Sequence, residues 1–224
     1  MFRIIMHNTV ENLINIEKQI KSSLISLYID HYPKIIAVSK TFPIEKILPL
    51  IKHGHSDFGE NKVQEALNKW TDIKEINPNI KLHLIGKLQT NKVKQAVKLF
   101  DFIHSVDSKK LAKKIFEEQV KIKKQIKIFI QVNIGEESQK SGIDKFELNE
   151  LVSYCKKIGL SVIGLMCIPP FDKEPLNYFK EMNELNKHYG FRELSMGMSS
   201  DYISAIKNSA TYVRIGSNIF GQRT

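Results

Sequence analysis

The chain has 224 residues, of which 42% are hydrophobic and 26% charged, a composition typical of one globular domain with a full core. It contains no apolar run near the roughly 20 residues of a membrane helix, and its start lacks the apolar core of a signal peptide, so we expect a cytoplasmic protein. The net charge of +10 is compatible with a nucleic-acid partner, but the lysines are spread over segments typical of solvated helix faces.

Short β-branched runs alternate with amphipathic segments along the sequence. After a first helix over about residues 7–29, eight runs are predicted to be buried strands because they are rich in Ile, Val and Phe. These runs cover about 34–40, 57–59, 82–86, 102–106, 127–133, 161–167, 193–196 and 211–215. The helical segments between them cover about 44–53, 61–70, 91–100, 108–121, 144–158, 174–189 and 200–208, and a final short helix begins near Ser217.

This strict alternation predicts an α/β fold of parallel strands with right-handed crossovers. Eight such units favour a single (β/α)₈ barrel of the TIM type, with an extra N-terminal helix, over residues 1–224. An open doubly wound sheet is the alternative, but such a sheet often has a glycine-rich first turn, and residues 40–43 contain no glycine. The two cysteines, Cys155 and Cys167, match no metal-binding spacing and indicate no disulfide framework.

Lys40 is the first candidate functional residue because it closes the first predicted strand. It shares a strand face with Ile36 and Val38, since side chains alternate along a strand. A lysine alone in this position is usually an ordinary residue at a strand end. In an apolar setting, however, a lysine amine readily forms Schiff bases with carbonyl compounds.

The ends of strands seven and eight predict a phosphate site, because small residues at this point form the usual phosphate site of the fold. Gly216 lets backbone N–H groups approach a ligand closely, and Ser217 begins a helix whose positive end favours an anion. Ser199 adds a hydroxyl and is predicted to cap the helix that begins near Ser200. Each residue alone is equally typical of ordinary helix capping, but their adjacency in a barrel favours an anion.

Two inward polar side chains complete the pattern. Arg214 lies between Val213 and Ile215, where a guanidinium needs an acceptor, so a structural salt bridge and a cofactor's ring nitrogen or phosphate are both open. His83 lies inside an apolar strand, as a buried core histidine or as a ligand contact. A lysine that can form an imine, a phosphate site and an inward arginine at one barrel mouth together fit pyridoxal 5′-phosphate (PLP).

The candidates belong to longer stretches that resemble the pyridoxal phosphate homeostasis proteins, small barrels similar to the N-terminal domain of bacterial alanine racemase. The resemblance spans nearly the whole chain, in the family's order. Its main stretches are Ala37-Val38-Ser39-Lys40-Thr41, Phe58-Gly59-Glu60-Asn61 with Gln64-Glu65, His83-Leu84-Ile85-Gly86, Lys140-Ser141-Gly142, Gly164-Leu165-Met166, Ser195-Met196-Gly197-Met198-Ser199 and Val213-Arg214-Ile215-Gly216-Ser217. The chain departs from the family at Leu82, where Trp is usual, at Lys87, where Pro is frequent, and at Ser209-Ala210-Thr211, where a Gly-Ser-Thr run is expected.

The resemblance implies a role for each candidate and assigns no catalytic residue and no metal ligand. Lys40 would hold PLP through a covalent Schiff base, and Arg214 would face the pyridine nitrogen. The phosphate would be held by Ser199, Gly216 and Ser217, and the pocket would be lined further by Asn61, His83 and Met166.

The function implied is a PLP-binding protein without catalysis, acting in intracellular vitamin B6 homeostasis and amino-acid balance, with PLP-dependent apo-enzymes as candidate acceptors. Alanine racemase takes one base from a second domain of its partner subunit, and we expect neither that domain nor the dimer it supports here. An arginine opposite the ring nitrogen also weakens the electron sink. The alternatives are a PLP-dependent racemase of low activity and a basic nucleic-acid-binding protein.

Overall fold

The computed structural model describes residues 7–137 and 139–222, and their eight strands form a closed parallel barrel in sequence order. The strands are β1 Lys34–Val38, β2 Asp57–Glu60, β3 Lys81–Leu84, β4 Phe102–Val106, β5 Lys127–Gln131, β6 Ser161–Met166, β7 Glu193–Met198 and β8 Tyr212–Ile215. The helices are α1 Asn8–Leu27, α2 Ile44–Lys52, α3 Val63–Ile76, α4 Val93–Leu99, α5 Lys109–Lys121, α6 Lys145–Lys157, α7 Leu176–His188, α8 Tyr202–Lys207 and α9 Ser217–Phe220, with a 3₁₀ turn at Thr90–Lys92.

The prediction of a (β/α)₈ barrel with an extra N-terminal helix is confirmed. The barrel closes between β1 and β8, where Ile36 lies opposite Arg214 in register. This pairing excludes the open sheet, which would leave two strand edges unpaired. Of the predicted domain limits 1–224, residues 1–6, 138, 223 and 224 lie outside the described residues.

The core has two layers, as the alternation of side chains along each strand requires. Outward-facing strand residues pack beneath the helices, and an inner cluster fills the barrel with Ile36, Val38, Phe102, Phe129, Met166 and Tyr212. Helix α1 buries a stripe of residues at helical spacing, namely Leu13, Ile16, Ile20 and Leu24. Asn12 on this helix donates from Nδ2 to the carbonyl of Ile219 at 3.0 Å, which ties α1 to α9 at the mouth of the barrel.

Several boundaries differ from the predicted ones. Strand β1 ends at Val38, so Lys40 lies in the turn after the strand, and β7 continues to Met198, which is in register with Arg214. The prediction that Ser199 caps the next helix is wrong. Helix α8 begins at Tyr202 because the Asp201 carboxylate accepts from the Met198 N–H at 2.6 Å and turns the chain first.

Two features of the described residues concern membrane helices and metal sites. None of the helices in residues 7–137 and 139–222 combines the length and the apolarity needed to cross a bilayer. In the same residues, no three or more His, Cys, Asp or Glu side chains are grouped as a metal ion would require.

Candidate functional site

A cavity of about 580 Å³ opens at the carboxyl ends of the strands. It brings together six of the eight predicted site residues, namely Lys40, Asn61, Ser199, Arg214, Gly216 and Ser217. Its apolar walls include Val38, Ile85 and Met198. The prediction that these strand ends meet at one face of the barrel is therefore confirmed for these six, and their roles stay predictions.

The turn that carries Lys40 is held on both sides by carboxylates. The Ser39 hydroxyl donates to Glu60 at 2.8 Å, and the Thr41 backbone N–H donates to Glu65. Thr41 has a φ of 67°, a left-handed conformation that β-branched residues rarely adopt. Partial burial opposes ionisation of Glu65, but its hydrogen bonds from Thr41 and Lys69 hold its pKa below the usual value. Charged hydrogen bonds thus stabilise the strained backbone beside Lys40.

Lys69 on α3 connects these carboxylates to the turn. Its Nζ lies 2.9 Å from the Ser39 carbonyl, 2.9 Å from Glu60 Oε1 and 3.1 Å from Glu65 Oε1. Glu60 is fully buried and also accepts from the Trp70 indole N–H at 2.9 Å. An i,i+4 Glu–Lys pair on a helix is typical of a solvated face, so its spacing gave no signal of this role.

The ends of β7 and β8 are joined by hydrogen bonds at the predicted phosphate site. Ser199 Oγ accepts from the Gly216 N–H at 3.2 Å, and the Asn218 amide donates to the Ser199 carbonyl at 2.9 Å. Because this oxygen accepts, the Ser199 hydroxyl proton is available to a ligand. Ser217 is exposed and begins α9, where the first N–H groups of a helix have no partner within it.

Glycine occupies two positions at this site for different structural reasons. Gly197 has a φ of 90°, and a Cβ there would lie 2.6 Å from the Ala205 methyl group, so only glycine permits the β7 bulge that leads to Ser199. Gly216 has no such constraint. A Cβ there would meet Val38 at 3.4 Å or more, an ordinary contact, so close approach by a ligand stays the predicted reason for this glycine.

Arg214 is 4% exposed and is held by main-chain oxygens within β7 and directly after β6. Its Nη1 donates to the Ser195 carbonyl at 2.8 Å and its Nη2 to the Cys167 carbonyl at 2.8 Å. No carboxylate forms an ion pair with it in residues 7–137 and 139–222. The predicted salt-bridge alternative is therefore not seen among these residues.

The structure does not bring His83 and Met166 to the cavity lining. Met166 is fully buried in the inner cluster. His83 is fully buried below the cavity, stacked on Phe102 with ring centroids 4.3 Å apart, and both ring nitrogens are hydrogen-bonded. Contact of these two residues with a ligand stays a prediction that the cavity geometry does not support.

The chain has the barrel of the alanine racemase class. The family model for the alanine racemase N-terminal domain matches residues 19–224. The solved alanine racemase of Corynebacterium glutamicum is 19% identical, with a TM-score of 0.65 over 85% of this chain and 56% of that chain, which shows a shared fold.

More similar proteins narrow the class to one family. The pyridoxal phosphate homeostasis protein of Aquifex aeolicus is 39% identical over 85% of this chain and 87% of the relative, and that of Escherichia coli is 34% identical over 84% and 85%. The solved structure of PipY from Synechococcus elongatus with PLP bound is 34% identical, with a TM-score of 0.75 over 91% of this chain and 100% of that chain. The chain therefore belongs to the family of pyridoxal phosphate homeostasis proteins, and the predicted resemblance is confirmed.

Proposed function

We propose that this protein binds PLP in the cavity at the barrel mouth and acts in PLP homeostasis without catalysing an amino-acid reaction. The observation that carries the proposal is the meeting of a lysine amine, a buried guanidinium and a serine–glycine pair in one cavity. Its volume of about 580 Å³ lies in the range of small-molecule sites. The donors suit the cofactor, since the amine pairs with an aldehyde and the hydroxyl and N–H groups pair with phosphate.

Each predicted residue has a proposed role in this site. Lys40 attaches the cofactor covalently, Asn61 lines the cavity beside it, and Arg214 donates to the ring nitrogen. The phosphate is held by Ser199, Gly216 and Ser217. When bound, PLP supplies an aldehyde that condenses reversibly with amines, and this reversibility suits a protein that gives the cofactor up to acceptor apo-enzymes.

The lining of the cavity supports a non-catalytic role. Racemisation needs acid–base groups on both faces of the substrate carbon. Among the described residues that line the cavity there is no His, Asp, Glu, Tyr or Cys, and Lys40 alone carries a titratable amine. Arg214 stays cationic and does not favour a protonated ring nitrogen, which weakens the electron sink needed for carbanion chemistry.

Binding should depend strongly on the phosphate group. We expect apo-protein to bind pyridoxal about 10²-fold or more weakly than PLP, because two charge-assisted hydrogen bonds at about 1.5–3 kcal/mol each are lost. Ser199→Ala should weaken PLP binding only about tenfold, the lower end of the range for one such bond, since backbone donors remain. Titration followed by visible absorbance measures both values, with Ser153→Ala on the exposed face of α6 as the control. Equal affinities for pyridoxal and PLP would contradict the proposed phosphate site.

Amino-acid turnover should be marginal. A correctly placed general acid or base typically contributes about 10²–10⁴-fold, and the described lining offers none opposite Lys40. Chiral chromatography of alanine and other amino acids, after incubation with PLP-loaded protein, should show almost no racemised product. A turnover in the ordinary range of about 1–10³ s⁻¹ that is lost in Lys40→Ala would establish the racemase alternative instead.

A further inference from the structure

A continuous chain of hydrogen bonds crosses the barrel interior below the cavity. Arg214 Nη1 donates to Ser195 Oγ at 2.7 Å, and that oxygen lies 3.0 Å from His104 Nδ1. His104 Nε2 lies 3.0 Å from His83 Nδ1, and His83 Nε2 lies 3.0 Å from Asp57 Oδ1. The five side chains come from five strands, and the three central ones are fully buried. None of these bonds is used by the proposed contacts with PLP.

The two end groups of this hydrogen-bond chain determine which atom donates and which accepts in every bond along it. A guanidinium can only donate and an ionised carboxylate can only accept. The Ser195 hydroxyl oxygen accepts from Arg214, and among the described residues its other partner is His104 Nδ1, so that nitrogen is the acceptor for the hydroxyl proton. His104 must then donate from Nε2 to His83, and His83 must donate from Nε2 to Asp57. Both imidazoles are therefore neutral, with the proton on Nε2.

The electrostatic setting agrees with this arrangement. Burial lowers the pKa of His83, and it lowers that of His104 well below the usual value, with the nearby His83 and Arg214 adding to the effect. Burial opposes ionisation of Asp57, but the hydrogen bond from His83 holds its pKa below the usual value. A further proton on either imidazole would leave one N–H or O–H in the chain without an acceptor.

The hydrogen-bond chain also explains why a buried guanidinium is tolerated. Burying a charge without a partner is costly, and no ion pair reaches Arg214 within the described ranges. The aligned dipoles of one hydroxyl and two imidazoles instead face its positive charge and end at the Asp57 carboxylate, and the Asp201 carboxylate attracts the guanidinium from a longer distance. The carbonyls of Ser195 and Cys167 accept from two more of the five N–H groups of Arg214. The remaining N–H groups of the guanidinium are left for other acceptors, such as a ligand.

We propose that Ser195, His104, His83 and Asp57 are positioning residues that act through Arg214, holding its guanidinium at the cavity as a fixed hydrogen-bond donor to the ring nitrogen of the cofactor. This inference rests on the proposed function, because it assigns the partner of Arg214 within that site. A merely structural role would be to fill the barrel interior with paired polar groups.

The first test needs no ligand, and it uses substitutions only to assign the signals. Long-range ¹H–¹⁵N spectra of histidine-labelled apo-protein report which imidazole nitrogen carries the proton. For His83 and His104, assigned by His83→Gln and His104→Gln, we expect two neutral rings near neutral pH, both protonated on Nε2. A proton on Nδ1 of either ring, or a cationic ring, would overturn the one-directional chain.

The second test separates positioning from structure. Ser195→Ala removes the link between Arg214 and His104 but keeps the carbonyl contact to Arg214, and Asp57→Asn removes the distal charge at constant shape. Each variant should bind PLP about three- to tenfold more weakly, as expected for one hydrogen bond. Binding of the PLP analogue with C–H in place of the ring nitrogen should be unchanged or tighter. Circular dichroism of both apo-proteins verifies that they are folded.

The outcomes distinguish this inference from the proposed function itself. If wild-type protein binds neither PLP nor the analogue, the proposed function is wrong. If wild-type protein binds both ligands and each substitution weakens the binding of PLP and of the analogue equally, the hydrogen-bond chain has only a structural role. That result would overturn the inference. Variants that bind PLP as tightly as wild-type protein would overturn it as well.

Discussion

Protein with Lys40→Ala should carry no covalently attached PLP after borohydride treatment, whereas wild-type protein should carry it on Lys40. The reason is that Lys40 is the one described residue of the cavity lining with a primary amine, the group that an aldehyde condenses with. Borohydride makes the attachment permanent, and peptide mass spectrometry then identifies the modified lysine. The visible absorbance of the attached cofactor should disappear in the variant.

The matched control is Lys87→Ala, which removes an exposed lysine from the loop after β3. This variant should keep both the absorbance and the label on Lys40. Lys40→Ala protein should retain weak, non-covalent PLP binding through Ser199 and Gly216, because the substitution leaves the phosphate site intact. Label found only on another lysine of wild-type protein would show that the assignment of Lys40 is wrong.

Replacing Lys69 by Met should lower the free energy of unfolding by about 3–5 kcal/mol, the usual cost of removing one partner of a buried ion pair. The Glu60 carboxylate is fully buried 2.9 Å from the Lys69 amine, and its Oε2 accepts no hydrogen bond from the described residues. Without Lys69 its charge would be balanced only by the hydrogen bonds from Ser39 and Trp70. Urea denaturation of the apo-protein measures the change.

An exposed pair provides the comparison for this effect. Lys113→Met breaks a surface pair with Glu117 at 4.0 Å and should cost less than about 1 kcal/mol. The double variant Lys69→Met with Glu60→Gln should recover part of the loss, because it removes the unpaired charge as well. A Lys69→Met protein as stable as the Lys113→Met control would refute the importance of this buried pair. The same variant should bind PLP more weakly, since Lys69 also holds the Ser39 carbonyl beside Lys40.

The order and number of elements could be predicted because the periodicity of apolar residues is a local property of the sequence. All eight strands and the extra N-terminal helix occur where the pattern places them. The exact ends could not be predicted, because a strand continues only where a neighbour pairs with it. Strand β7 extends to Met198 through its pairing with β8. The turn at Ser39 is held by Glu60, which is the last residue of the neighbouring strand β2.

Six of the eight predicted site residues line the cavity, because the carboxyl ends of parallel barrel strands share a face. Five of them were predicted from residue type and position in or after a strand, and Asn61 from the family resemblance. Sharing a face does not determine the depth of a side chain along the barrel axis, which depends on strand tilt and stagger. His83 and Met166 are therefore assigned to the correct strands but lie below the cavity. Ser199 is in the cavity lining, although its predicted role as a helix cap is wrong.

The sequence by itself determined the class of fold, the family and the kinds of chemical group at the barrel mouth, because these depend on local patterns and on motifs read along the chain. Only the tertiary structure showed that Lys69 and two carboxylates hold the turn at Lys40, and that Arg214 connects through Ser195 and two histidines to Asp57. His104 and Ser195 are 91 residues apart in the chain. Hydrogen bonds between such distant residues depend on the register and closure of the whole barrel, which no local pattern of residues encodes.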